Sequence, residues 1–138
     1  MGADNILTAD ERHENTHRLA FVSAELSRAG AAVIVAPAAP EERSRQLARD
    51  IILQNGGSGA NFFLVHVSTT LEYAEKTDRQ GLYAKARRGE IMDFPGIGQP
   101  FEAPENVDLT ANVERQSISE IVHSRSSPTA RVYFVDHL

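Results

Sequence analysis

The chain has 138 residues, of which 41% are hydrophobic and 24% charged, and 14 basic against 19 acidic residues give it a formal net charge of −5. These proportions are typical of one globular domain. Because cysteine is absent, disulfides, thiolate nucleophiles and cysteine-ligated metal sites are excluded. No apolar run approaches the ~20 residues of a membrane span, the N-terminus lacks the layout of a signal peptide, and the acidic balance disfavours nucleic acid. We therefore expect a cytoplasmic protein with no membrane or nucleic-acid partner, on which a local basic patch could still hold a small anion.

The first predicted elements are a helix and a buried strand. Thr8 and Glu11 fit a capping box, so the helix should begin near Thr8 and end at Gly30. Its predicted apolar stripe consists of Leu19, Val22, Leu26 and Ala29. The apolar run 31–36, stopped by Pro37, predicts a strand that is buried on both faces.

The rest of the chain repeats this alternation of strand and helix. Helices are predicted at 41–54, 69–77, 81–88 and from Ser117, and strands at 62–67 and 107–113. The proline-rich segment 92–106 predicts a mobile loop, 124–128 a linker, and 132–135 one edge strand. The pattern predicts an α/β fold with a mostly parallel sheet, whose ligands bind at the carboxyl ends of the strands.

A zinc-protease pattern, H-E-x-x-H, spans His13 to His17. Two histidines one helical turn apart can bind zinc, with the glutamate as general base. These two, however, share the side of Ala20 and Ala24, away from the predicted stripe, and no third ligand follows at a familiar spacing. We favour two solvent-facing histidines, and a zinc hydrolase is the remote alternative.

Arg12 and Asn15 lie at the N-terminal end of the predicted stripe. A cation and an amide in this position would point into the crevice at the end of the sheet, where the guanidinium fork could hold an anion. The alternative is a helix-start arginine that pairs with Asp10 or Glu14.

The glycine-rich segment 56–59 resembles a phosphate loop only superficially. It lacks the Lys-Ser/Thr ending, and it precedes a strand where a phosphate loop follows one and opens a helix. We interpret it as a turn.

A basic cluster precedes the proline-rich loop, and it consists of Lys85, Arg87 and Arg88. With Phe94 and Phe101 in the loop, it would suit a nucleotide lid, because the cations could bind phosphates and an aromatic ring could stack on a base. The alternative is a solvated basic face beside two aromatic residues that pack on the core.

Three sequence blocks resemble adenylyl-sulfate (APS) kinases in order and spacing. They are Glu11-Arg12-His13-Glu14-Asn15, then Gly81-Leu82-Tyr83 with Ala86-Arg87-Arg88-Gly89-Glu90-Ile91, and Phe94-Pro95-Gly96-Ile97 with Pro100-Phe101-Glu102-Ala103-Pro104. The likeness runs from about Ile6 to His123. A closer likeness is to the kinase-like C-terminal regulatory domain of filamentous-fungal ATP sulfurylase, through segments that include Phe62-Phe63-Leu64-Val65-His66-Val67.

This resemblance implies a P-loop-kinase-like parallel sheet with flanking helices. APS kinases transfer the γ-phosphate of ATP to the 3′-hydroxyl of APS and form PAPS for sulfate assimilation, whereas the fungal domain binds PAPS as an allosteric inhibitor. The implied APS or PAPS contacts are Arg12 and Asn15 (sulfate or phosphate and ribose), the backbone at Ala38 and Ala39, Arg79 (in place of a basic residue before Gly81), and Phe94 (stacking on adenine).

The chain departs from the family where catalysis takes place. The first strand, the phosphate loop with its lysine and the catalytic Asp have no counterpart in these residues, and Thr77 and Met92 stand where active kinases carry Arg and Lys. The resemblance therefore implies an incomplete APS-kinase-like domain over 1–123 with a divergent tail at 124–138. It implies no catalytic residue, no metal site and no intrinsic cofactor, since ATP and Mg would bind only if the missing phosphate loop were supplied.

The function that this implies is an APS- or PAPS-binding regulatory module of an ATP sulfurylase, and whether the chain is an enzyme stays open. The alternative is a fragment of an active APS kinase. The expected partners are the nucleotide, the catalytic domain of ATP sulfurylase in a longer chain, and further copies in a homo-oligomer.

Overall fold

The computed structural model describes residues 7–123 and 131–137. The helices are α1 (Ala9–Arg28), α2 (Glu42–Asn55), α3 (Leu71–Lys76), α4 (Leu82–Arg87) and α5 (Ile118–His123), and the strands are β1 (Val33–Val35), β2 (Phe62–Val67), β3 (Leu109–Ala111) and β4 (Val132–His137). All of them lie where the sequence predicts them, although β1 and β3 are shorter, and the predicted linker 124–128 falls outside the described residues. Among the described helices, none is long and apolar enough to cross a membrane.

The described strands run parallel in one sheet of order β1-β4-β2-β3, which confirms the α/β class. Strand β4 pairs with β1 on one side and with the full length of β2 on the other. The prediction of an edge strand at 132–135 was therefore wrong. Val132 and Phe134 are completely buried, and a run that is apolar on both faces is more stable between two ladders than at an edge.

The edges of the described sheet are β1 and β3 instead. The sequence predicts that β1 is buried on both faces, but Ile34 is 76% exposed. Successive side chains of a strand point to opposite faces, and only Val33 and Val35 pack against the hydrophobic core. That core lies between the sheet and helices α1 and α2, and it includes Ala20, Ala24, Ala48, Ile52, Phe62, Leu64, Val132 and Phe134.

Helix α1 begins as predicted but buries a different face. The capping box is present, since Glu11 N donates to Thr8 Oγ1 (3.3 Å) and Thr8 N donates to Glu11 Oε2 (2.8 Å). The predicted stripe was wrong, because Val22 and Leu26 are 53% and 44% exposed. The buried residues of α1 are Arg12, Thr16, Ala20, Ser23, Ala24 and Ser27. These are mostly small, so α1 packs closely on α2, with its buried face rotated by roughly a third of a turn from the stripe.

Candidate functional site

Arg12 lies buried at the start of α1, where the proline-rich loop crosses the helix. Its side chain donates hydrogen bonds to the main-chain oxygens of Leu7 and Asp93, the latter at 2.7 Å, and to the side-chain oxygen of Gln99. Only 5% of the residue is exposed. The site is built from the capping box, which fixes the start of the helix, and from the loop, which closes over the guanidinium group.

The acceptors around Arg12 are neutral. Among the described residues no carboxylate forms an ion pair with it, and its Nε is buried without a hydrogen-bond partner. The predicted alternative of a pair with Glu14 is not observed, because Glu14 binds Arg18 at 2.9 Å. Burial lowers the pKa of the Arg12 guanidinium, and the carboxylates of Asp93 and Glu41 oppose that shift from a distance.

The proline-rich loop contains no described helix or strand, as predicted, but it has internal hydrogen bonds. Gly96 N donates to Gln99 O (2.7 Å) and Gly98 N donates to Phe94 O (2.9 Å), so this part of the loop is a compact turn. Gly96 has φ 87°, a conformation in which side chains with a Cβ are strained. Phe94 packs edge-on against Tyr83 with ring centroids 4.9 Å apart. The predicted mobility of the loop stays a prediction.

The basic cluster predicted as a lid lies on and just after α4. Arg87 Nε binds Glu75 Oε1 on α3 at 2.6 Å, and Arg88 binds Glu90. The hydrogen bond with Glu90 raises the pKa of Arg88 and, in return, lowers the pKa of Glu90. Lys85 lines a cavity of about 390 Å³ together with Leu7 and Asp93, two residues whose main-chain oxygens bind Arg12.

The remaining predicted contacts lie in different surroundings. Asn15 is half-buried on α1, Ala38 is exposed, and the buried Ala39 accepts a hydrogen bond from Arg45 at its main-chain oxygen. Arg79 is exposed and lines a different cavity, of about 430 Å³, which also includes Tyr83. The structure thus brings Arg12 together with the loop that carries Phe94, while Arg79 borders a neighbouring cavity.

The two histidines of the zinc-protease pattern have different surroundings. His17 is exposed, as predicted, but His13 is half-buried and its Nδ1 lies 2.7 Å from Ser44 Oγ on α2. The prediction that both face solvent was therefore wrong for His13, because the buried face of α1 is rotated toward α2. In the part of the chain that the structure describes, no group of three or more His, Asp or Glu side chains could hold a metal ion.

A second buried cluster was missed by the sequence analysis. Asp136 of β4 contacts His66 of β2 (Oδ1 to Nδ1, 2.9 Å) and Arg45 of α2 (Oδ2 to Nη1, 3.7 Å), and the ring of Phe101 lies against both His66 and Arg45. Glu42 also binds Arg45, at 2.7 Å. In the sequence, His66 and Asp136 stand out only as polar residues in two otherwise apolar strands. Neither position indicates which residue it contacts.

Comparison with known proteins gives consistent matches. The sequence profile of the adenylylsulphate kinase family matches residues 3–112. The chain is 60% identical over 116 residues to the sulfate adenylyltransferase of Aspergillus terreus and 52% identical over 123 residues to that of Coccidioides immitis. These matches cover 84% and 89% of the chain but only 20% and 21% of the fungal proteins, so the chain spans about a fifth of their length.

A solved structure also resembles this one. It is the APS kinase of Mycobacterium tuberculosis in complex with AMPPNP and APS, which superposes with a TM-score of 0.75 at 36% sequence identity. The match covers 88% of this chain and 69% of that kinase. The parallel sheet with its flanking helices is thus shared with an APS kinase.

Proposed function

Because the chain belongs to the adenylylsulphate kinase family, a family of sulfate assimilation, we propose that it binds APS or PAPS in the crevice beside Arg12. In this proposal it is the regulatory module of a sulfate adenylyltransferase and does not phosphorylate APS. Its site residues are those implied by the resemblance, with Arg12 as the principal anion contact.

The observation that carries the proposal is the charge balance at Arg12. A buried guanidinium group without a carboxylate partner in the described residues retains a positive charge that an anion can neutralise. Its present acceptors are two main-chain oxygens and one amide oxygen. A phosphate or sulfate oxygen is a stronger acceptor than an amide oxygen, so it would replace the Gln99 side chain with a net gain.

The connections between strands and helices argue against phosphoryl transfer by these residues alone. A phosphate loop joins a strand to a helix N-terminus, where its amides surround the β- and γ-phosphates. In the described chain, β1 leads to α2 through 36–41 and β2 leads to α3 through 68–70, and neither segment contains glycine. The glycine-rich segment 56–59 joins α2 to β2, as a turn. ATP and Mg are therefore not part of the proposed site.

The proposed partner is the remainder of a sulfate adenylyltransferase. The fungal relatives are about five times as long as the segment they share with this chain. A regulatory module must transmit effector binding to another site, so we propose that the chain acts next to a catalytic sulfurylase domain, in a homo-oligomer.

Calorimetric titration with PAPS tests the proposal. We expect Arg12→Ala to weaken binding by about 1.5 to 3 kcal/mol, or roughly 10- to 150-fold, because a charge-assisted hydrogen bond is lost. Arg18→Ala is the matched control, since Arg18 lies on the same helix but is exposed and paired with Glu14. Equal effects of the two substitutions, or no PAPS binding by the unmodified chain, would remove the proposal.

An active APS kinase is the second candidate function, and the likeness to the mycobacterial kinase favours it. We expect no PAPS to form from ATP, APS and Mg, because the β- and γ-phosphates have no described cradle. Formation of PAPS above a control without protein would establish the kinase in place of the regulatory module.

A further inference from the structure

Strand β4 lies in the middle of the sheet although it lies outside the segment that matches the family. The family profile ends at residue 112, whereas β4 comprises Val132–His137 and pairs with both β1 and β2. Val132, Phe134 and Asp136 are all 0% exposed. The carboxyl end of this strand therefore places an ionisable side chain, Asp136, inside the molecule.

Asp136 is held between two basic side chains. Its Oδ1 lies 2.9 Å from His66 Nδ1, and its Oδ2 lies 3.7 Å from Arg45 Nη1 and has no hydrogen-bond partner. Burial of a carboxylate is unfavourable unless charged or hydrogen-bonding groups compensate it. The side chains of Arg45 and His66 are consequently held near β4, and Arg45 is itself only 1% exposed.

Both basic residues contact the proline-rich loop at Phe101, and Arg45 also contacts Glu102. The Phe101 ring stacks on His66 with centroids 5.8 Å apart, and Arg45 lies over the same ring at 5.4 Å. Arg45 Nη2 also donates to the Glu102 main-chain oxygen (2.5 Å). Next to this contact, Glu102 N donates to Pro40 O (2.8 Å). This part of the loop is only two residues after Gln99, which binds Arg12.

We propose that Asp136 is a positioning residue, through which β4 holds Arg45 and His66 against Phe101 and so fixes the proline-rich loop beside Arg12. Asp136 of β4 contacts Arg45 of α2 and His66 of β2, and both of these side chains contact the ring of Phe101 in the loop. This inference rests on the proposed function in one respect only, namely that the loop lies over a site for APS or PAPS. The conformation of the loop itself can be measured without any ligand.

Hydrogen–deuterium exchange of the full chain tests this inference. Asp136→Asn keeps the shape of the side chain and removes its charge, so we expect the Glu102 amide to exchange about tenfold faster, since the loop opens locally. Asp50→Asn is the matched control, because Asp50 is exposed on α2, the helix of Arg45. Unchanged exchange at Glu102 in Asp136→Asn would overturn the proposal.

The NMR signals of the Phe101 ring separate positioning from simple stabilisation of the sheet. The stacked His66 ring shields the Phe101 ring protons, so Asp136→Asn should move them toward the position of a free phenylalanine. If Asp136→Asn exchanges rapidly throughout the chain, Phe101→Leu replaces it, because it removes the ring without altering the sheet. Faster exchange at Glu102 in Phe101→Leu would support the proposal, and unchanged exchange there would overturn it.

Titration with PAPS then links the two proposals. Asp136→Asn should weaken PAPS binding severalfold, while Asp50→Asn should not. If the unmodified chain fails to bind PAPS, the proposed function fails, and the exchange of Glu102 still decides whether Asp136 positions the loop.

Discussion

Two buried arginines hold the proline-rich loop from neighbouring helices, and they differ in what neutralises them. Arg12 of α1 donates to the Asp93 main-chain oxygen, and Arg45 of α2 donates to the Glu102 main-chain oxygen. Arg45 also contacts two carboxylates, those of Glu42 and Asp136. Arg12 has neutral acceptors among the described residues.

This difference distinguishes Arg45, a structural arginine, from Arg12, the arginine that we propose to bind an anion. The charge of Arg45 is already compensated, so a further anion would gain little there and would be repelled by the carboxylates. Arg12 has no carboxylate in direct contact among the described residues and is influenced by Asp93 and Glu41 only from a distance, so an anionic ligand could bind it directly. Burial alone does not distinguish the two residues, because both are at most 5% exposed.

The substitution with the largest expected effect is Arg45→Ala, which should lower stability. We expect Arg45→Ala to lower the free energy of unfolding by about 3 to 5 kcal/mol, because the carboxylate of Asp136 would stay buried beside His66 alone. Urea denaturation followed by circular dichroism measures this change. Arg43→Ala is the control, since Arg43 on the same helix is 64% exposed and should change stability little. A loss below about 1 kcal/mol for Arg45→Ala would mean that the two arginines are not distinguished by charge compensation.

A smaller effect is expected from Gln99, whose side-chain oxygen accepts a hydrogen bond from Arg12. Gln99→Ala removes the amide oxygen that competes with a ligand, so PAPS should bind more tightly by about 1.5 kcal/mol, or roughly tenfold. Gln54→Ala, at an exposed position of α2, is the control for calorimetric titration. Weaker binding by Gln99→Ala would show instead that Gln99 positions Arg12 for the ligand.

The cap of α1 could be predicted from the sequence because it depends on local contacts. Thr8 and Glu11 are three residues apart, and their reciprocal hydrogen bonds are independent of the rest of the fold. The buried face of α1 could not be predicted in the same way. The larger apolar residues Val22 and Leu26 suggested one face, but close packing on α2 selected the face with Ala20 and Ala24.

Contacts between residues that are far apart in the sequence could not be predicted from the sequence. His66 and Asp136 are 70 positions apart, and their contact exists only because β4 pairs with β2. The apolar character of 132–135 predicted a strand but not its position in the sheet, because strand order depends on which other strands have unpaired edges. Arg12 was predicted from its position on the wrong stripe and from the family resemblance, and it is buried because it begins the observed face.

The smallest expected effect is that of removing the Thr8 cap at the start of α1, the helix that carries Arg12. Arg12 N donates to Thr8 O (2.9 Å), and loss of the side-chain cap in Thr8→Ala should lower the free energy of unfolding by about 0.5 to 1 kcal/mol. Thr70→Ala removes a similar cap from α3, where Thr70 Oγ1 accepts from Tyr73 N (3.2 Å). Both variants should lose stability, but only Thr8→Ala should also weaken PAPS binding, because only α1 carries Arg12.

The pH dependence of the Thr8 cap sharpens this last comparison. Hydrogen bonds from the backbone and side chain of Thr8 hold the pKa of Glu11 below its usual 4.5. A lowered pKa in the folded state stabilises the fold above pH 4.5, and this stabilisation is lost as the pH falls through the folded value. Glu11→Gln removes this charge but keeps the side-chain length, so the difference in stability between the unmodified chain and Glu11→Gln should be full near neutral pH and narrow in acid. Denaturation curves from about pH 3 to 7 measure it, and a difference that is constant over that range would mean that Glu11 makes no contribution to the start of α1.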